Sequence, residues 1–373
     1  MTRRRIPALI LALICLLLCG CGVGGRGDQE PVTLWCLEDD PLREGLEELV
    51  GRYDRAPGGL LPVELRSFPD EESLAEAFHA SRPDLLLCSH DRALALERQG
   101  ILRDIHAGLN EGAPRYPASL EDSFDAVGRS YFPLGARVTL LAVAPEAAET
   151  VSPEQLQLLD GLCAWAEDYA ARTGRPFFTA DSFSELFYLG MLSQLSQFHA
   201  DETRDRHSSA YLRVYTQLTD CAFRGGLAVS EHAGADLLRS GAIACAALPS
   251  TALPETDYEP GLLLPLPGLE QERELPALCS GIAVTAREGR GLRSAAGFLS
   301  WLFAEGRAEQ AALDAGLVPA SLGETPEQEG LLQRTLLELR SERTLHLYDP
   351  EGEYWRGREG FEEQLRAILR RLR

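Results

Sequence analysis

The sequence contains no lysine, and all of its 36 basic residues are arginine. A chain without lysine cannot form a Schiff base, build a Walker-type phosphate loop or use a Ser-Lys dyad. Two other catalytic signatures are missing, the G-x-S-x-G turn of many hydrolases and the H-E-x-x-H zinc helix. The sequence therefore gives no support to several classes of enzyme.

Cysteines are present but show no metal or redox spacing. Beyond residue 21 no two cysteines form a C-x-x-C pair, so neither a zinc site nor a redox motif is indicated. We expect most of them to be small buried side chains. One hypothesis is a disulfide between two that end predicted neighbouring strands, Cys36 and Cys88. The cysteines concerned are Cys36, Cys88, Cys163, Cys221, Cys245 and Cys279.

Only one long apolar run occurs, from Ile6 to Leu18, and it is too short to span a bilayer comfortably. Three arginines precede it, as in a secretory signal peptide. The next residues complete Leu18-Cys19-Gly20-Cys21, which resembles the bacterial lipoprotein processing box. We expect a signal peptide over 1–20, a lipidated Cys21 and a flexible tether over 21–30. The alternative is an ordinary signal peptide, with Cys21 a chance cysteine.

The charge balance is acidic, with a net charge of -21. Removal of the signal peptide takes three arginines and leaves 33 basic and 57 acidic residues, a net charge of -24. Such a charge argues against binding to nucleic acid or directly to anionic lipid. The hydrophobic content of 45% is typical of globular proteins. The remaining chain of about 340 residues has room for two domains.

Apolar runs and helical periodicity alternate in the first hundred residues. Helices are predicted to begin at Pro41, after Asp70 and near Arg92. Buried strands are predicted at Pro31–Leu37, Leu61–Phe68 and Asp84–Cys88. Short links between them indicate an α/β domain with a parallel sheet, in which ligands bind beyond the carboxyl ends of the strands.

The pattern changes in the middle of the chain. Residues Tyr131–Ala144 predict a loop followed by a long strand, and the following region predicts a helix-rich second lobe. Another strand is predicted at Cys279–Thr285. An amphipathic helix is predicted over Gly360–Leu372 at the end of the chain.

Several short pieces occur in an order and spacing typical of one family. They are V-T-L-W at 32–35, P-D-L-L-L at 83–87, Q-G-I-L-R-D-I at 99–105, L-P-L-P-G at 264–268, S-G-I-A-V-T at 280–285, A-A-G-F-L-S-W-L at 295–302 and A-G-L-V-P at 315–319. Together they resemble the extracellular solute-binding lipoproteins of ABC importers, in the group that includes carbohydrate binders. The chain differs from typical sugar binders in its low aromatic content of 7%.

The resemblance implies an α/β, two-lobed clamp of the type II periplasmic-binding-protein-like fold, with discontinuous lobes and a central cleft. The first lobe is expected to comprise 31–137 plus 279–319. The second is expected to comprise 138–278 plus 320–373.

The resemblance also implies a function without catalysis. We expect a membrane-anchored, monomeric protein on the outer face of the cytoplasmic membrane. It captures a small solute, a mono- or oligosaccharide by family prevalence, and delivers it to ABC transporter permease subunits. No cofactor, metal or nucleic-acid partner is expected. The alternatives are a solute-sensing lipoprotein that partners a sensor kinase and a surface hydrolase, the latter without motif support.

Polar residues that follow the predicted strands are candidate ligand contacts, because such a clamp needs polar groups converging from both lobes. Capping of the following helices is the alternative for each of them. Trp35 is interpreted as a core residue. A catalytic triad of Ser89, His90 and Asp91 is excluded, because three consecutive side chains cannot face one another in hydrogen-bonding order. The first-lobe candidates are Asp39 and Asp40, then Ser89, His90 and Asp91.

Further candidates come from a strand-to-helix junction of the second lobe, where a helix start offers backbone donors. Others lie where the family places the cleft. A last pair offers an aromatic stacking platform, with a surface turn as the alternative. In this order they are Thr179, Asp181, Ser182 and Phe183; Phe132, Ser250 and Ser280; and Tyr354 and Trp355.

Overall fold

The structure is a computed structural model of the chain. It describes residues 30–56, 61–109, 112–181, 209–230, 232–256, 258–269, 274–286, 289–323, 330–342, 344–347, 363, 366–368 and 370–371. In these residues the chain folds into two β-sheets with helices packed on them, an α/β architecture.

The strands form a seven-stranded sheet and a four-stranded sheet. In chain order they are β1 Val32–Leu37, β2 Val63–Phe68, β3 Leu85–Ser89, β4 Tyr131–Arg137, β5 Thr139–Val143, β6 Phe178–Ala180, β7 Cys245–Pro249, β8 Leu262–Pro265, β9 Glu274–Val284, β10 Val318–Pro319 and β11 Thr344–Leu347. The first sheet has the order β10-β4-β9-β3-β1-β2, with β11 on β9; the second has the order β6-β7-β5-β8. We call each sheet with its helices a lobe.

Helices cover both sheets. In chain order they are α1 Arg43–Arg55, α2 Glu71–Ala80, α3 His90–Arg98, α4 His106–Leu109, α5 Ala118–Glu121, α6 Pro145–Ala148, α7 Leu159–Thr173, α8 Ser209–Phe223, α9 Gly234–Arg239, α10 Arg290–Phe303, α11 Arg307–Asp314 and α12 Gly330–Glu342. Local chemistry sets several ends. The carboxylate of Asp70 accepts the backbone N–H of Ser73 at 2.7 Å and starts α2. Gly174, at φ 71°, ends α7.

The three predicted strands of the first domain are present as β1, β2 and β3. Strand β1 lies between β2 and β3 and is parallel to both. A strand in that position has neighbours on both sides and helices on both faces, which explains its continuous apolar run. Trp35 is 5% exposed, and its ring centroid lies 5.0 Å from that of Phe68. Its interpretation as a core residue is confirmed.

The prediction for Tyr131–Ala144 was wrong in its first half. Residues Tyr131–Arg137 are strand β4, not a loop, and pair antiparallel with β9. The register of β4 shifts between Pro133 and Gly135. That irregularity absorbs the proline, which cannot donate a ladder hydrogen bond. Strand β5 then begins after the single residue Val138 and belongs to the other sheet.

The later part of the chain also differs from the predictions in extent. Strand β9 is longer than the predicted strand at Cys279–Thr285, because its first residues pair with β11. The sequence pattern did not indicate α12 or β11. Of the helix predicted over 360–372 the structure describes residues 363, 366–368 and 370–371, and each is helical. Residues 182–208, part of the region predicted to be rich in helix, lie outside the described residues.

A hydrophobic cluster joins the two lobes. It contains Val138 between the sheets, Leu248 from β7, Val318 from β10 and Leu336 from α12. Separate clusters fill the second lobe and the two faces of the first sheet. The lobes are therefore packed on each other around Val138.

The disulfide hypothesis for Cys36 and Cys88 is wrong. Both are free thiols, and the geometry of the sheet keeps them apart. Strands β1 and β3 pair with Trp35 beside Leu86, which places Cys36 level with Leu87. Successive side chains of a strand point to opposite faces. Cys36 accordingly joins the core on one face of the sheet and Cys88 the core on the other.

Candidate functional site

The carboxyl ends of strands from both sheets lie on either side of Val138. Strands β1, β2, β3 and β4 run in one direction, because β9 is antiparallel to both β3 and β4. In the second sheet β7 and β8 are antiparallel to β5, and β6 is parallel to β7. Their carboxyl ends therefore lie at the edge where β5 begins, next to the end of β4. Loops at such edges are where α/β sheets bind ligands.

Asp40 is the most constrained carboxylate at the edge of the first sheet. It follows β1 and is half-buried. One carboxylate oxygen accepts the backbone N–H of Leu42 at 2.9 Å, and the other accepts the hydroxyl of Ser280 at 2.9 Å. Burial raises the pKa of Asp40 above its ordinary value, more than these hydrogen bonds lower it. Sequence positions 40 and 280 are thus joined at one site, while Asp39 beside them is exposed.

The end of β3 lies in the same region. Ser89 is level with Ser280 in the antiparallel pairing of β3 and β9. It is followed by α3, whose first turn contains His90 and Asp91. The His90 ring lies against an aromatic wall, with centroids 5.2 Å from Phe124 and 6.2 Å from Tyr131. All three predicted residues are half-buried. The structure therefore brings Asp40, Ser280 and the Ser89–Asp91 turn to one edge.

Three other predicted residues have structural contacts inside the protein. Phe132 is 0% exposed in the first-lobe core. The hydroxyl of Thr179 donates to the carbonyl oxygen of Ala228 at 2.9 Å. Ser250 is 0% exposed, and its hydroxyl accepts the backbone N–H of Val138 at 3.3 Å. These side chains stabilise the lobes and their junction, and we leave them out of the proposed site.

Asp181 lies at the carboxyl end of β6 and is exposed. One of its carboxylate oxygens accepts the backbone N–H of Gly234 at 2.7 Å, which ties this edge to α9. Its backbone carbonyl accepts the guanidinium of Arg366 at 3.4 Å. The chain near its C-terminus therefore contacts the second lobe. The remaining predictions, Ser182, Phe183, Tyr354, Trp355 and the lipidation site Cys21, lie outside the described residues.

Arg137 is a candidate that the sequence reasoning missed. It ends β4 directly before Val138 and is half-buried. The β4–β9 register sets it opposite Leu278, so it is on the same face of the sheet as Ser280. Within the described residues its guanidinium makes no hydrogen bond or ion pair. A charge at the end of an otherwise apolar strand was the available signal.

Metal binding and membrane spanning find no support in the described part of the chain. No group of three or more His, Cys, Asp or Glu residues there is arranged to hold a metal ion. No helix among those residues combines the length and apolar character needed to cross a bilayer.

No protein-family model and no curated protein matches the chain in sequence. Comparison with solved structures finds similar folds. A cyclic alpha-maltosyl-1,6-maltose binding protein from Arthrobacter globiformis has a TM-score of 0.69 at 16% identity, over 93% of this chain and 95% of that one. An ABC substrate-binding protein from Listeria monocytogenes, in complex with cycloalternan, has a TM-score of 0.65 at 12% identity, over 93% and 95%.

A third similar structure carries a different ligand. UgpB from Mycobacterium tuberculosis, in complex with glycerophosphocholine, has a TM-score of 0.63 at 18% identity, over 92% of this chain and 99% of that one. At these identities the similarity establishes the fold. The predicted fold class is confirmed: the chain has the α/β, two-lobed fold of type II periplasmic binding proteins.

Proposed function

We propose that this protein is the solute-binding component of an ABC importer. It binds a carbohydrate between its lobes and delivers it to the permease. The main support is the two-lobed fold. This chain shares it, over more than nine-tenths of both chains, with a cyclic alpha-maltosyl-1,6-maltose binding protein and with a cyclo/maltodextrin-binding protein. The polar edge at Val138 supports it, because oxygen acceptors and a guanidinium suit a ligand rich in hydroxyl groups.

The proposed site consists of Asp40, Ser280, Arg137 and the Ser89–Asp91 turn on the first lobe, with Asp181 on the second. Asp39, Ser182, Phe183, Tyr354 and Trp355 remain predicted contacts. The Asp40 carboxylate accepts ligand hydroxyls, and Arg137 donates to ligand oxygens. We place the lobes at 31–137 plus 279–319 and at 138–278 plus 320–373, with β11 and the first residues of β9, which extend the first sheet, as part of the junction between them. The change of sheet at Val138 supports the first boundary.

The test is binding of oligosaccharides to the mature chain, measured by thermal unfolding and by calorimetry. A ligand at 100 times its Kd should add about 2.7 kcal/mol to the free energy of unfolding. The panel includes glycerophosphodiesters, because UgpB shows this fold around glycerophosphocholine. Silence with all saccharides and a response to another class would overturn the carbohydrate assignment.

Matched variants locate the site. Asp40→Ala and Arg137→Met should each weaken binding about tenfold or more, since each removes a charged hydrogen-bonding group. Asp168→Asn and Arg103→Met, exposed residues away from this edge, should bind as the wild type does. Equal affinities in all four variants would place the site elsewhere.

The anchor is proposed to be a lipid on Cys21, holding the clamp at the outer face of the cytoplasmic membrane as a monomer beside its permease. Cys21→Ser should bind solute normally and appear in the medium. Retention of that variant in the membrane fraction would assign the anchoring to another part of the chain.

A further inference from the structure

Two thiols meet in the interior of the second lobe. Cys163 lies on α7 and Cys221 on α8, and these helices pack against each other. The Sγ–H of Cys221 donates to the carbonyl oxygen of Cys163, with Sγ and O 3.9 Å apart. The pKa of Cys221 is raised, first by a hydrogen bond to the Cys163 thiol and then by burial. Two residues remote in sequence thus lie side by side, with the Cys221 sulfur 3.9 Å from the backbone oxygen of Cys163.

None of the other described cysteines is hydrogen-bonded to a second thiol. Cys36 and Cys88 face opposite sides of the first sheet. The thiol of Cys279 is hydrogen-bonded to Tyr131, and burial alone raises the pKa of Cys245. Among the cysteines that the structure describes, Cys163 and Cys221 are therefore the two that are hydrogen-bonded to each other.

We propose that Cys163 and Cys221 form a disulfide in the exported protein. The proposal rests on the export that belongs to the proposed function, because disulfides form and persist outside the cytoplasm. The oxidant is a disulfide of a thiol oxidoreductase or of a small thiol. One cysteine thiolate attacks it and releases a thiol, and the second attacks the mixed disulfide and releases another. The two cysteines lose two protons and two electrons, and the oxidant becomes two thiols.

Burial sets the time at which this bond forms. In the folded lobe Cys163 is 6% exposed and Cys221 is 0% exposed. A buried thiol with a raised pKa forms little thiolate and cannot be reached by an oxidant. Oxidation therefore occurs during folding, before α7 and α8 have packed against each other and buried the two thiols. The bond then closes the loop 163–221 and restrains the unfolded chain.

The test is a thiol map of the exported protein. It is unfolded in denaturant with an alkylating reagent and no reductant, then cut after arginine and analysed by mass spectrometry. We expect residues 138–172 and 214–224 as one linked peptide, lighter by two hydrogens than the two thiol peptides, with the other described cysteines alkylated. Linkage of either cysteine to another one would overturn the pair, and alkylation of both Cys163 and Cys221 would overturn the disulfide in the exported protein.

A second experiment tests the pairing of the two cysteines independently of the proposed export. The reduced, unfolded protein is refolded in a glutathione redox buffer. If the 163–221 disulfide forms in this buffer but both thiols are free in the protein taken from cells, the result supports the pairing and contradicts the export. Reduction should lower the Tm of the oxidised wild type and of Cys245→Ala, but not that of Cys163→Ser. Equal Tm shifts in all three would contradict a stabilising bond at this position.

Discussion

At the residue scale, Asp40 shows how the fold changes the chemistry of one side chain. Its two carboxylate oxygens hold the start of α1 and the hydroxyl of Ser280, which lies on β9. These hydrogen bonds favour the charged form, but burial disfavours it more strongly. A ligand hydroxyl that replaces solvent at this carboxylate would meet an acceptor already fixed in orientation.

The raised pKa predicts a pH dependence of stability. The folded state holds the Asp40 proton more tightly than the unfolded state, so the free energy of unfolding falls as pH rises from 3.8 toward the folded pKa. Asp40→Asn cannot lose this proton and should flatten the fall. Thermal unfolding across this acid range measures it.

The control is Asp168→Asn, an exposed change on α7 that leaves Asp40 in place. It should keep the wild-type slope. A slope in Asp40→Asn equal to that of the wild type would show that other groups cause the pH dependence.

At the element scale, the β4–β9 pair supports the site, because it positions both Arg137 and Ser280. The strands approach closely at Gly281, where a Cβ atom would lie 2.6 Å from the carbonyl oxygen of Phe132 and 2.8 Å from Cα of Pro133. Both of these are backbone atoms, which cannot move aside as a flexible side chain can. This close approach requires glycine.

Gly281→Ala should therefore destabilise the protein by about 3 kcal/mol, the upper range for overpacking. Gly51→Ala on α1 is the matched control. The nearest atom to its Cβ would be 3.9 Å away, so alanine should stabilise the helix by about 0.5–1 kcal/mol. Denaturant unfolding measures both. A neutral Gly281→Ala would mean that β4 and β9 separate at little cost.

Helix α12, which the sequence pattern did not indicate, is held by a buried polar link. Glu309 on α11 is 1% exposed, and its carboxylate accepts the hydroxyl of Ser321 at 2.5 Å. Arg340 on α12 donates to the backbone carbonyl of Ser321 at 3.2 Å. Burial lowers the pKa of Arg340, and the Glu309 charge opposes that effect. Ser321 thus connects the acid to the base.

Glu309→Gln should destabilise the protein by about 1–3 kcal/mol, since it removes a charged acceptor and places a buried amide NH2 at the carboxylate oxygen that has no hydrogen-bond partner among the described residues. The control is Glu338→Gln on the exposed face of α12, which should lie within about 0.5 kcal/mol of the wild type. Chemical denaturation compares them. Equal stability of the two variants would remove Glu309 from the account of α12.

At the scale of the whole molecule, the lobes meet at Val138 and at Gly316. The backbone N–H of Ser250 donates to the carbonyl oxygen of Val138 at 2.7 Å. Gly316 has a φ of 73°, and a Cβ atom there would lie 2.5 Å from the carbonyl oxygen of Ser250. A first-lobe turn is thus in direct contact with the second lobe.

Gly316→Ala should cost about 3 kcal/mol, because it adds this clash to the strain of a left-handed alanine. Gly174→Ala separates the two effects: its φ is 71° with no atom within 4 Å, so only strain of about 1 kcal/mol applies. Thermal and chemical unfolding measure both. Equal losses would show that the contact between lobes at Gly316 is not tight.

The sequence by itself determined the α/β class of the first domain, the order of its first strands and helices, and the core position of Trp35, while the two-lobed arrangement was implied by the family resemblance. The features of the first domain follow from local periodicity and from continuous apolar runs, which are typical of strands in a sheet covered on both faces. It also pointed to Asp40 and Ser280 as separate candidates. It did not join them, because a contact across 240 positions depends on how β9 returns beside β3.

Tertiary structure alone decided which neighbouring residues share a face. A shift of one position in register sends Cys36 and Cys88 to opposite cores, while the packing of α7 on α8 brings Cys163 and Cys221 together. It also buried Phe132 and Ser250, which the sequence offered as ligand contacts. Register and helix packing are set by the summed burial of many side chains, so no short stretch of sequence encodes them.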